Sequence, residues 1–132
     1  NRLAFDLKLP LTDISVARLG EPRRGDVVTF WSPRDRARLI KRIVALPGDT
    51  VSVRNGYAVV NGKEQRPDYI NPCAPGSCDF PKPIKVPPNH FFMMGDNRGE
   101  SDDSRFWGPV PRKWIIGQAF ATYWPPKRIG LL

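Results

Sequence analysis

Apolar and polar residues alternate along short stretches of this chain, and glycine or proline separates one stretch from the next. A turn over Pro22–Asp26 leads into Val27–Trp31, which reads as a strand, and Leu39–Leu46 reads as another. After the tight turn Pro47-Gly48-Asp49, Val51 and Val53 alternate with polar positions. Asn55-Gly56 then suits a two-residue type I′ turn and Tyr57–Val60 returns, which predicts a hairpin. Asn61-Gly62 predicts a further turn. His90–Met94 and Trp114–Trp124 read as strands, with Gly117, Ala119 and Ala121 on one face of the last, where their small size predicts close packing. Leu11–Leu19 is expected to be a short helix, with Thr12 or Asp13 as its N-cap. Lys63–Pro88 is dense in proline and shows little apolar pattern, which predicts an irregular surface excursion. The fold class expected is all-β, an antiparallel sheet with long loops, in a single domain over residues 1–132.

Composition agrees with that reading and narrows the function classes. The chain has 132 residues, among them 15 prolines and 11 glycines, which suit short strands joined by many turns. No run approaches the roughly 18 apolar residues of a membrane-spanning helix. The net charge of +8 favours anionic partners such as phospholipid headgroups or nucleic acid, and charge alone does not choose between them. The basic residues are scattered in pairs and triplets, as at Arg23-Arg24 and Arg112-Lys113, and form no recognisable nucleic-acid motif. Cys73 and Cys78 enclose a Pro75-Gly76 turn, and their spacing is neither a CxxC redox motif nor half of a common zinc site. With a single histidine, His90, a closed four-ligand zinc site of Cys and His is out of reach. A small-loop disulfide is the preferred reading and two free thiols the other. The disulfide would contribute about 2 kcal/mol in the chain-entropy description and would imply an oxidising compartment.

The unusual stretch is LIKRIVALPGD, residues 39–49, where two cations interrupt an apolar, β-favouring run. In a strand Leu39, Lys41, Ile43 and Ala45 share one face, while Ile40, Arg42, Val44 and Leu46 share the other. One face must therefore hold an amine among hydrophobes. Burial disfavours an ammonium, and buried lysines titrate as much as several units below the usual value of about 10.4. A neutral lysine is a base, and an amine of this kind can take the hydroxyl proton of a serine nucleophile. The plainer account is an edge-strand lysine whose stem lies on apolar neighbours and whose head reaches water.

The segments RGDVVTF (24–30), IKRIVALPGD (40–49), Asn61-Gly62 and MGDNRGESDDSRFWGPVP (94–111) stand in the order of the motifs of the type I signal peptidases, which the chain resembles from about Glu21 to Pro125. The resemblance implies a signal-peptidase-type β core. It also implies a membrane-tethered serine endopeptidase of Ser-Lys type, facing the periplasm or cell exterior, that removes signal peptides from exported precursors. Its implied partners are those precursors and an anionic membrane surface, with no nucleic acid, no metal and no cofactor. The nucleophile, in a Ser-Met-x-Pro-Thr segment, is expected upstream of Asn1, so the chain as given is expected to be inactive. By resemblance Lys41 is the general base, Ser101 hydrogen-bonds its amine, and Asp103 and Arg105 form a bridge that holds the loop. Arg42 and Asp96 support the site, and Leu39 and Ile40 help to line shallow substrate pockets. If extended, Ser101, Asp103 and Arg105 would lie on one side of the chain. Self-cleaving repressors of related fold usually lack the GDNR loop followed by SDDSRFWG. A catalytically inactive homologue serving as a membrane-surface module is the remaining alternative.

Overall fold

The structure, a computed structural model, describes residues 14–17, 20–33, 35, 37–74 and 78–121. The strands are β1 (Ile14–Ala17), β2 (Val27–Trp31), β3 (Arg38–Ala45), β4 (Thr50–Arg54), β5 (Tyr57–Val60), β6 (Lys63–Glu64), β7 (Phe80–Lys85), β8 (His90–Met94), β9 (Val110–Pro111) and β10 (Ile115–Ala121). One short helix, α1 (Ser104–Trp107), and a 3₁₀ turn (Arg112–Trp114) stand among them. Six strands form one antiparallel sheet in the order β1-β10-β2-β3-β8-β9, and four form a second in the order β6-β5-β4-β7.

The cores follow from alternation. Val28 and Phe30 of β2, Leu39 and Ile43 of β3, Phe91 and Met93 of β8 and Val110 of β9 make one buried cluster. Phe92 and Met94 point the other way and join Val51, Val53, Ala58, Val60 and Val86 in a second. The unbroken Phe-Phe-Met-Met of β8 is thus a strand with both faces buried, which a half-exposed strand would not allow. Ala45 departs from the expected face and joins the second cluster, because the β3–β8 register shifts between Ile43 and Ala45.

The turns behave as their residues dictate. Asn55 and Gly56 have φ of 54° and 87°, and Asn61 and Gly62 have 53° and 84°, the left-handed pairs that type I′ hairpins need. The hairpin tip at Gly56 is packed, not free. Its carbonyl accepts from Arg98 Nη1, and the neighbouring Asn55 carbonyl accepts from the Cys73 N–H.

Three expectations are corrected. Residues 14–17 form a strand where a helix was expected: Ile14 and Val16 are β-branched, and β1 pairs with β10 from Ile14↔Ala121 to Ala17↔Gln118. The other residues of the expected helix, apart from these four, lie outside the described residues. Lys63–Pro88 is not wholly irregular, because β6 and β7 lie in it. Among the described residues β7 pairs with β4 alone, at the sheet edge, where prolines are tolerated. The last strand begins at Ile115, after the 3₁₀ turn, and residues 122–124 lie outside the described residues. Cys73 and Cys78 are joined by a disulfide with Cα atoms 6.0 Å apart, inside the normal range.

Asp49 anchors the turn after β3. Its carboxylate accepts from the Leu46 N–H (2.8 Å), Asn61 Nδ2 (3.0 Å) and the Nε and Nη2 of Arg24 (3.0 and 2.9 Å). Burial opposes its ionisation, but these hydrogen bonds outweigh burial and hold the carboxyl below its usual range. A depressed carboxyl contributes stability that is present above its unfolded pKa and is lost as pH falls through the folded one. Asp49→Asn should therefore flatten the dependence of unfolding free energy on pH below about pH 5, measured by urea titration. Gly56→Ala should cost about 2 kcal/mol or more in the same assay, since left-handed strain adds to a clash. A Cβ there would stand 2.9 Å from Arg98 Cβ and 3.1 Å from the Cys73 nitrogen.

Candidate active site

Lys41 lies in the middle of β3 and is 4% exposed. Its partner in β2 is Val28, and Leu39 and Ile43 flank it on the same face, so its stem runs through the first apolar cluster. The β3–β8 ladder pairs Ile43 with Met93 and Arg42 with Met94. One step further along that ladder brings Lys41 level with Gly95.

Gly95 gathers the predicted loop residues. Its N–H donates both to Ser101 Oγ (3.1 Å) and to Asp103 Oδ2 (3.0 Å). Ser101 is 8% exposed and Asp103 is fully buried. Asp103 takes a bidentate pair from Arg105, Nε to Oδ1 at 2.8 Å and Nη2 to Oδ2 at 2.9 Å, and it also accepts the Arg105 N–H as N-cap of α1. The expected extended run from Ser101 to Arg105 is corrected here. Residues 104–107 are helical, and what brings Ser101 and Asp103 together is the shared Gly95 donor. The next residue, Ser104, sends its hydroxyl oxygen to the Met93 N–H at 2.9 Å, a second tie to β8.

Arg42, on the opposite face of β3 from Lys41, clamps Asp96 with Nε and Nη2 at 2.9 and 2.7 Å. Its Nη1 donates to the Gly25 carbonyl, and its guanidinium lies 3.9 Å from the Tyr69 ring centre. Burial would lower the Arg42 pKa, but the Asp96 carboxylate outweighs it and raises the value. Leu39 and Ile40 are both buried and point to opposite faces; Ile40 pairs with Thr29, whose buried Oγ1 makes no hydrogen bond. Arg98 spans from the loop to the β4–β5 hairpin through the Gly95 and Gly56 carbonyls. Asn71 was missed. Its backbone bridges Asn97 in parallel, with bonds from Asn71 N–H to Asp96 O and from Arg98 N–H to Asn71 O, each 2.9 Å. Backbone bonds of this kind leave no residue signature.

The signal peptidase, peptidase S26, family model matches residues 8–124. The chain belongs to this family. It is 43% identical to a probable signal peptidase I-2 of Synechocystis, over 87% of this chain and 54% of that protein. It is 32% identical to the signal peptidase I of Pseudomonas fluorescens, over 100% of this chain and 60% of that protein. The chain thus spans little more than half the length of these relatives. The crystal structure of a signal peptidase I from Enterococcus faecalis shares the fold, with a TM-score of 0.63 and 31% identity over 76% of this chain and 97% of that one. The signal peptidase fold here is mostly antiparallel sheet, as expected from the sequence.

In this family member the Asp103–Arg105 pair is almost dry, with side-chain exposures of 0% and 5%. Removing one partner strands the other charge, so Asp103→Ala should lower unfolding free energy by about 3 kcal/mol. A double-mutant cycle with Arg105→Ala, read by urea denaturation, should return a coupling of about 1 kcal/mol or more. Additive losses would show that the two side chains act separately.

Proposed function

We propose that this domain is the catalytic core of a Ser-Lys endopeptidase that removes signal peptides from exported precursors, with Lys41 as general base. The observation that carries the reading is a lysine 4% exposed in an apolar wall, on the strand whose next residue, Arg42, pairs with Met94, just before the glycine whose N–H holds Ser101. A serine supplied from an upstream segment attacks the scissile carbonyl. Lys41 Nζ, neutral at that moment, takes the serine proton and passes it to the leaving amine, and backbone or hydroxyl donors beside the serine stabilise the oxyanion. A water molecule then attacks the acyl-enzyme, and Lys41 takes its proton and returns it to the serine oxygen as the ester bond breaks. Ser101 positions the amine through its hydroxyl. Asp103 and Arg105 hold Ser101 in place, and Arg42 with Asp96 fixes the start of the loop. The precursor lies as an extended strand beside residues 38–41, where Leu39 and Ile40 help to shape pockets for small side chains.

Family membership supports this reading, and so does the net charge of +8, which suits an anionic membrane surface. The disulfide suits a domain held outside the cytoplasm.

The test is a chain extended upstream through its Ser-Met-x-Pro segment. It should cleave precursors after small residues such as alanine. Lys41→Ala should reduce kcat about a thousandfold, and Lys41→Met, which keeps an apolar stem of similar length in the cluster, should do the same with little change in melting temperature. Lys41→Arg should fail equally, since a guanidinium stays protonated and accepts nothing. Activity should rise with pH as the lysine loses its proton. Wild-type cleavage by the Lys41→Ala enzyme would place the base elsewhere and overturn the mechanism.

A further inference from the structure

A cavity of about 210 Å³ opens beside Arg42, Ile43 and Val44 of β3 and Ala58 of β5, and Arg24, Arg98 and Tyr69 are also among its walls. Three arginines therefore line one small space. Two of them are held by carboxylates, Arg24 by Asp49 and Arg42 by Asp96. Arg98 is not. It is 3% exposed, its Nε and Nη1 donate to the Gly95 and Gly56 carbonyls, and among the described residues its Nη2 has no hydrogen-bond partner.

Carbonyl oxygens solvate a cation but do not cancel its charge. Burial shows the shortfall by pushing Arg98 down to about 10, although the carboxylates of Asp96 and Asp103 act against it. At neutral pH the group is still protonated, so the cavity walls carry three cations against two bound carboxylates. A buried charge without a bonded counter-ion is costly, and an anion entering the cavity removes that cost. The donors left over match an oxyanion. Among the described residues Arg98 Nη2 has no partner, and Arg24, half exposed, commits Nε and Nη2 to Asp49 and leaves Nη1 without one. Tyr69, 37% exposed and stacked on Arg42, supplies one wall.

We infer that this cavity is a binding site for a phosphate-class oxyanion, held by Arg98 from within and Arg24 from the mouth. Neither donor takes part in the proposed proton transfer, since Arg24 lies before β2 and Arg98 in the loop after β8. Charge-assisted bonds from guanidinium to phosphate are the strong kind, and the volume suits a single phosphate group. The phosphate has two possible sources, free in solution or as a phosphomonoester headgroup at a bilayer surface.

Thermal melts in 10 mM potassium phosphate, against sodium chloride of equal ionic strength, test the site without reference to activity. The melting temperature should rise by about 3 °C with phosphate. In Arg24→Gln and Arg98→Gln most of that increment should vanish. Should Arg98→Gln fail to fold, Arg24→Gln carries the comparison, and the Arg98 side-chain 15N resonance of the wild type should shift on phosphate titration. Flotation with phosphatidylcholine vesicles containing phosphatidic acid separates the sources. Binding there that Arg24→Gln weakens, without a phosphate effect in solution, assigns the site to the headgroup. A phosphate increment with no such vesicle binding assigns it to the free ion. If neither ligand acts beyond its control, or if Arg24→Gln responds as wild type does, the inference is wrong.

Discussion

Both faces of β8 are dry, and the arrangement of the rest depends on that. A single strand that buries Phe91 and Met93 on one side and Phe92 and Met94 on the other ties two apolar clusters to one backbone. Because β8 ends at Met94, it also delivers Gly95 at a fixed height beside β3. A slip of one residue would exchange the two clusters' side chains and move Gly95 past Lys41, so the register is held by burial on both sides at once. The position of the candidate chemistry is thus set by packing before any polar group is considered.

The polar groups then fix the loop that follows β8. Asp96 and Asp103 are both fully buried, and each is met by an arginine in bidentate geometry. Buried ion pairs of this kind contribute little net stability compared with well-packed hydrophobes, because desolvation offsets the attraction. Their geometry is directional, however, and a planar guanidinium on a planar carboxylate permits few alternatives. Arg42 and Arg105 therefore act as locators for the two ends of the loop. Arg98 and the Asn71 backbone fasten its middle to the hairpin and to the disulfide-bearing excursion.

What could be read from the sequence was local. The alternation around Lys41 placed the amine on an apolar face, because period two depends only on the strand itself, and the Asn-Gly pairs specified their turns by the same local logic. β7 was hidden because an edge strand with prolines and lysines lacks the apolar pattern by which strands are recognised. β1 was misjudged because capping residues nearby suggested a helix, whereas its hydrogen bonds come from β10, at the other end of the described chain. The meeting of Ser101 and Asp103 at Gly95 depends on loop closure after β8, and the bridge from Asn71 to Asn97 joins positions 26 residues apart. Such contacts have no sequence period to report them.

The pairing of β1 with β10 has a mechanical side. Ile14, where the first described strand begins, faces Ala121, where the last one ends, so the two ends of the described sheet meet at one corner. A force acting between those two points would pull the strands apart sideways and load their hydrogen bonds one after another, an unzipping geometry. Shear, which loads a whole ladder together, would require the ends to lie at opposite tips. The edge formed by β1 is accordingly the part of this sheet that tension on the two ends would open first, while β3 and β8, deeper in the strand order, would carry none of that load until β1 had come away.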